Sequence, residues 1–193
     1  ARLDSAGTLV VLFLAWATTA NAAQKLKVTD CLACHADATL TKDENGKTVS
    51  LYVDQAQLQH SIHGKVLTCV DCHSDVKSLV HEIPPRKIDC VQCHASAEQA
   101  YAHSIHAKAT QSGKRPAAIC EDCHGGAHAI LAPGHPKSPV NHANIPATCG
   151  QCHGQRFLME RTGRSAQPFI SYQDSVHGRA VKSGSMQAAV CTD

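Results

Sequence analysis

Apolar residues in this chain come in short clusters set among long polar spacers, and only a few clusters carry a helical period. Ser96 with Gln99 makes a capping box, and the pattern after it predicts a helix to about Lys108, stopped near Gly113. A similar helix is predicted over about Asp54–Lys65, and a third starts near Ser171 and fades before Gly184. Phe157–Arg161 reads as a short helix. No period-two alternation lasts long enough for a sheet. Pro133–Pro146, with four prolines, reads as an extended linker, and Ile83-Pro84-Pro85 plays the same part earlier. The expected fold class is mainly α with little regular secondary structure.

The longest apolar run, Leu9–Ala17, is too short to span a bilayer comfortably. Ala20-Asn21-Ala22 follows as a small-x-small cleavage site, so residues 1–22 read as a signal peptide cut after Ala22. The alternative is an uncleaved membrane anchor. On either reading residues 23–193 are exported, to the periplasm or an equivalent compartment.

Five times the chain writes Cys-x-x-Cys-His: at Cys31, Cys34 and His35; Cys69, Cys72 and His73; Cys90, Cys93 and His94; Cys120, Cys123 and His124; Cys149, Cys152 and His153. This pentad attaches c-type haem. Two thiols add across the haem vinyl groups as thioethers, and the His that follows at once binds iron as proximal ligand. Structural zinc takes four ligands, usually two Cys pairs, so five pairs leave one over and five histidines unexplained. A disulfide framework also ignores the histidines, and a thioredoxin-like motif needs a βαβ context. Five haems c are therefore expected.

Composition agrees. Aromatics make up 4% of the 193 residues, with one Trp, three Tyr and three Phe. Side chains this small bury little apolar surface by themselves, so haem is expected to form the core. The formal charge of +2 does not point to a polyanion partner, because ionised propionates on five haems would add roughly ten negative charges. No nucleic-acid partner is expected.

The motifs repeat in pairs. Each of three units has a haem motif, a spacer, a Ser-[Ile/Val]-His-[Gly/Ala]-[Lys/Arg] segment and a second motif, at about residues 31–82, 90–130 and 149–193. Between Ser104–Asp122 and Ser175–Asp193, nine of nineteen positions are identical without a gap. These are haem-pair modules, and Cys191-Thr192-Asp193 reads as the opening of a sixth motif continued beyond Asp193.

Nine of the fourteen histidines lie outside the motifs. His60 and His63, like His103 and His106, share a helix face. In the third unit Asp174 takes the first place while His177 keeps the second. His63, His106 and His177 are thus the better distal-ligand candidates, and His60 and His103 are better suited to orienting a ligand or propionate. His81, His128 and His142 form a second class of distal candidates. His135, between Gly134 and Pro136, reads as an exposed loop residue. Met159 reads as packing. If each Ser-x-His histidine serves the first motif of its own unit, His177 closes the haem of Cys149, Cys152 and His153.

The segments Asp122–Ile130, Ser138–His142 and Asn144–Cys149 resemble bacterial exported multihaem c-type cytochromes, as do the three Ser-[Ile/Val]-His segments. The resemblance implies closely spaced haems in a thin polypeptide wrapping, passing single electrons in a respiratory chain. It implies redox-protein partners, either a quinol-oxidising membrane complex or periplasmic cytochromes, and membrane association through chain beyond Asp193. Bis-His haems leave no open coordination position, so no catalytic residue is assigned and the chain reads as a carrier rather than an enzyme. The alternative is a multihaem reductase or oxidase of a small nitrogen or sulfur oxyanion, with its catalytic haem outside this sequence.

Overall fold

A computed structural model of the chain describes residues 26–81, 85–112 and 117–193. The expected signal peptide, and Ile83-Pro84 of the first spacer, lie outside the described residues. Helix α1 is Val28–His35, and a two-stranded antiparallel hairpin follows as β1 (Thr41–Glu44) and β2 (Lys47–Ser50). Then come α2 (Gln55–His60), α3 (Cys69–Cys72), a 3-10 turn at Cys90–Gln92, α4 (Ala95–Ala102), α5 (Ile105–Gln111) and α6 (Cys120–His124). The last four helices are α7 (Ile145–His153), α8 (Arg156–Arg161), α9 (Gln167–Asp174) and α10 (Val176–Lys182). The mainly helical expectation holds. Among the described residues no helix is long and apolar enough to cross a membrane.

The hairpin departs from the expectation of no sheet. Its strands are almost wholly polar and exposed, so they carry no alternation to read. The turn chemistry carries it instead. Asn45 and Gly46 both take positive φ, 57° and 77°, the pairing an Asn-Gly hairpin turn requires.

The three predicted long helices are each broken at the serine of Ser-x-His. Ser61 ends α2; Ser104 separates α4 from α5; Ser175 separates α9 from α10. The Ser104 hydroxyl accepts the Ala107 N–H at 3.1 Å, and Ser175 accepts the Gly178 N–H at 3.0 Å, each as an N-cap. Ser61 accepts the Gly64 N–H at 2.8 Å and donates to the Leu58 carbonyl at 2.9 Å. A serine hydroxyl that satisfies the backbone locally competes with a continuous helix. The consequence is placement: His106 and His177 become the second residue of a helix, on its first turn. Gly64 and Gly178 sit so tightly after this turn that a Cβ would enter the carbonyl of Leu58 or Tyr172.

Pro133–Pro146 is not an extended linker. It is a packed run of turns that feeds α7. Ser138 is fully buried and Asn141 nearly so. The Asn141 amide donates to the Pro133 carbonyl at 3.1 Å, the Asn144 amide to those of Pro136 and Ser138 at 2.7 and 2.9 Å, and the Thr148 hydroxyl to Pro139 at 2.7 Å. Polar side chains here satisfy the carbonyls that prolines leave unpaired.

The apolar core is small. Among the described residues only Leu32, Ala107, Met159, Ala166, Val181 and Val190 are buried hydrophobics. Met159 packs there, as expected. Large apolar side chains such as Val66, Val80 and Phe157 stay more than 70% exposed.

Candidate functional site

Four of the five motifs have a carboxylate that accepts a local backbone N–H, and the turn at Cys191 has one too. The Thr68 N–H donates to Asp71 at 2.6 Å, Ile119 to Asp122 at 2.8 Å and Val190 to Asp193 at 2.8 Å. These are the same bond at the same place in the second motif of each unit, so Cys191 begins a turn built like those at Cys69 and Cys120. Asp30 caps the Lys27 N–H before the first motif at 2.9 Å, and Asp89 caps Val91 in the third at 3.1 Å. An acid satisfying an orphan N–H winds the pentad into a turn, which brings both thiols and the following imidazole to one side.

The motif histidines meet the distal candidates in four pairs. His35 faces His81 with ring centroids 6.2 Å apart and planes 10° from parallel. His63 faces His94 at 5.8 Å, His73 faces His128 at 6.2 Å, and His106 faces His153 at 6.0 Å. Each pair joins one motif imidazole to one non-motif imidazole. An imidazole nitrogen lies about 2 Å from a bound metal and roughly 1.1 Å from its own ring centre, so two imidazoles trans across one metal have centroids about 6 Å apart. Among the described residues no three His, Cys, Asp or Glu side chains converge as a metal site. Two opposed imidazoles, with no further protein ligand, suit a metal whose other four positions a macrocycle fills.

The surroundings fit this donor set. His35 Nδ1 lies 2.8 Å from the Leu51 carbonyl, which fixes that nitrogen as donor and frees Nε2 as ligand. The hairpin delivers that carbonyl, since the chain returns from β2 to pass beneath α1. Burial and the facing His128 hold His73 below the usual imidazole range, and burial and His106 do the same to His153. Both favour the neutral, ligating form.

The thiols also meet in order. Burial, with the neighbouring Cys31 thiol, pushes Cys69 up to about 11, and burial with Cys191 pushes Cys149 up to about 11. Cys90 is raised by burial and then by Cys120. The first thiols of the two motifs in each unit are therefore neighbours. One cavity is lined jointly by the third and fourth motifs, through Cys90, His94, Cys120 and His124, with Tyr101 and His106.

Residues 77–154 match the family model of cytochrome c7 and related cytochrome c, a span that holds the third, fourth and fifth motifs. The match supports a c-type cytochrome. A c-type cytochrome binds haem covalently and transfers electrons with it, which the paired thiols and imidazoles suit. No curated protein and no solved structure matches the chain.

The His–His pairs do not follow the unit boundaries. His177, expected against His153, is in none of the four pairs; His106 of the preceding unit stands there. Likewise His63 of unit one meets the first motif of unit two. His124 of the fourth motif is also in none of the four. His142 is half-buried, and its Nδ1 has no hydrogen-bond partner. His60 is exposed, with Nδ1 2.7 Å from the Ala56 carbonyl; His103 and His135 are exposed. The sequence carried no signal for Leu51, whose carbonyl meets His35 Nδ1, because a backbone carbonyl leaves no residue signature.

Proposed function

We propose that this chain carries electrons through five covalently attached haems c, each closed on both faces by imidazole. The observation that carries the reading is the set of four His–His pairs at 5.8–6.2 Å, each made of one motif and one non-motif histidine. The distal ligands are then His81 for the first motif, His128 for the second, His63 for the third and His106 for the fifth. His142, half-buried with a free nitrogen, closes the fourth. The Cys191–Cys149 contact repeats those of Cys69–Cys31 and Cys120–Cys90.

Bound haem supplies a one-electron iron couple. The chain's residues would do the rest: the motif thiols would tether each haem, Leu51 would hold the His35 tautomer, and the paired imidazoles would ligate the iron. Held by two imidazoles, each iron would pass electrons rather than bind substrate. The apolar run and Ala-Asn-Ala before residue 23 favour an exported respiratory setting. The partners in that reading are other redox proteins, a quinol-oxidising membrane complex or periplasmic cytochromes. Intact mass spectrometry with electron paramagnetic resonance tests the proposal. Five haem additions and an all-low-spin ferric spectrum are expected. A dominant high-spin signal at neutral pH from native protein would overturn it.

A further inference from the structure

We infer that Phe169 is the positioning residue of the fifth motif: its ring sits in the groove between Gly150 and Gly154 and, through that turn, sets the His153 imidazole. The inference rests on the haem reading above. Gly150 and Gly154 lie one helical turn apart at the end of α7, on either side of Cys152 and His153. A Cβ on Gly150 would run into Phe169 Cζ, and one on Gly154 would come within 2.9 Å of Phe169 Cε1. The ring therefore touches both edges of the turn that carries the second thiol and the imidazole. Among the described residues no hydrogen bond holds the His153 ring, whereas the Leu51 carbonyl holds that of His35. Packing is left to orient it. The helix that carries Phe169 is itself pinned. Ala166, the N-cap of α9, is buried, and the Tyr172 hydroxyl, one turn past Phe169, donates to the Ala189 carbonyl at 3.0 Å.

Comparison of the repeats accounts for the ring. Phe169 stands six residues before the serine of Ser-x-His, a place held by Gln55 in unit one and Glu98 in unit two. The residue after the first cysteine is Leu32 in the first motif, Val91 in the third and Gly150 in the fifth. These places meet in the other units too. Val91 and Glu98 line one cavity, and Gln55 lines another with Ala36, the counterpart of Gly154. In units one and two the motif supplies the apolar side chain and the helix supplies a polar one. In unit three the motif gives up its side chain and the helix supplies the ring. Glycine within a helix is unfavourable relative to alanine, and here the ring needs the space.

The test is an exchange of volume, read at the fifth haem. Phe169→Leu empties part of the groove and Gly150→Ala crowds it; the double variant moves the lost bulk to the other side. The measurement is electron paramagnetic resonance of the ferric holoprotein, with a thermal melt of each sample. The low-spin signal depends on the angle between the two imidazole planes, because parallel rings split the iron d orbitals together and crossed rings oppose each other. His106→Ala first marks the fifth haem's signal as the one it removes. Each single variant should shift that signal, about one fifth of the low-spin intensity, and the double variant should return it towards its native position. A role in stability alone would lower Tm in the single variants and leave the signal in place. An unmoved signal in both singles, or a double variant whose shift is the sum of the two, overturns the inference. Should Gly150→Ala take up no haem, Phe169→Leu and Phe169→Ala carry the test: the shift should grow from leucine to alanine, and an equal or absent shift overturns it. Failure of the haem reading looks different, since His106→Ala would then remove no low-spin signal.

Discussion

Replacing His106 with alanine separates the proposed ligand arrangement from the one that unit boundaries predict. The His106 ring stands 6.0 Å from that of His153, at 62°. Its removal leaves the fifth haem with one axial imidazole. One iron of five should turn high-spin, so about one fifth of the ferric low-spin intensity should move to a high-spin signal. The stability effect can be bounded as well. The His106–His153 tie joins positions 47 residues apart. A cross-link over that span restricts the unfolded chain by at most about 4 kcal/mol. The thioethers and the other ties remain, so the loss should fall below that ceiling. The assay is electron paramagnetic resonance of the purified ferric holoprotein, with a thermal melt of the same sample, and His177→Ala as the companion. The expected result is one opened haem in His106→Ala and none in His177→Ala. The reverse result, with His177→Ala opening the haem and His106→Ala silent, refutes the cross-unit ligation.

Other consequences can be measured more simply. Gly178→Ala or Gly64→Ala should destabilise the holoprotein by about 1–3 kcal/mol, since the new Cβ enters a backbone carbonyl; Ala107→Gly, at the equivalent place in unit two, should cost only about 1 kcal/mol, and thermal melts compare the three. Asp122→Ala removes the acceptor of the Ile119 N–H, 2.8 Å away, and should lower stability by about 0.5–2 kcal/mol in chemical denaturation. Serine at both cysteines of all five motifs should give a chain with no cooperative thermal transition, because six buried apolar side chains among the described residues cannot offset chain entropy; a sharp transition in that variant would show a core independent of haem. A redox titration of the native protein should give overlapping one-electron waves mostly below zero volts, as bis-His ligation lacks the upward effect of Met.

Much of this protein is local, and the local part was legible. The five Cys-x-x-Cys-His pentads stand in the sequence itself, because two sulfurs and an imidazole that are to hold one haem must be close in the chain, and the family match over residues 77–154 supports that reading. The scarcity of aromatic side chains announced a thin core, and the small set of buried residues agrees. Short helices were visible where Phe157–Arg161 carries its apolar patch, within one residue of α8.

The misreadings share a cause. Ser61, Ser104 and Ser175 sit inside helical patterns, but their hydroxyls take the N–H groups that a continuous helix would use. Asn45-Gly46 makes a hairpin whose strands have no apolar face to betray them. Asn141, Asn144 and Thr148 turn a proline-rich run into packed structure by capping its carbonyls. In each case side-chain-to-backbone bonding outweighed periodicity.

Which histidine faces which motif was beyond the sequence. The candidates His63, His81, His106 and His128 could be named from supply alone, yet their partners lie 31 to 55 positions away in the chain. Repetition argued for closure within each unit, since a repeat carries the same local geometry in every copy. Tertiary structure linked the units instead, with His63 on His94 and His106 on His153. The physical reason is reach: Ser-x-His puts its imidazole on the first turn of a helix or turn, aimed outward from its own unit. A motif made of sequence neighbours was readable from the chain, whereas the histidine that faces each motif is whichever one packing brings there.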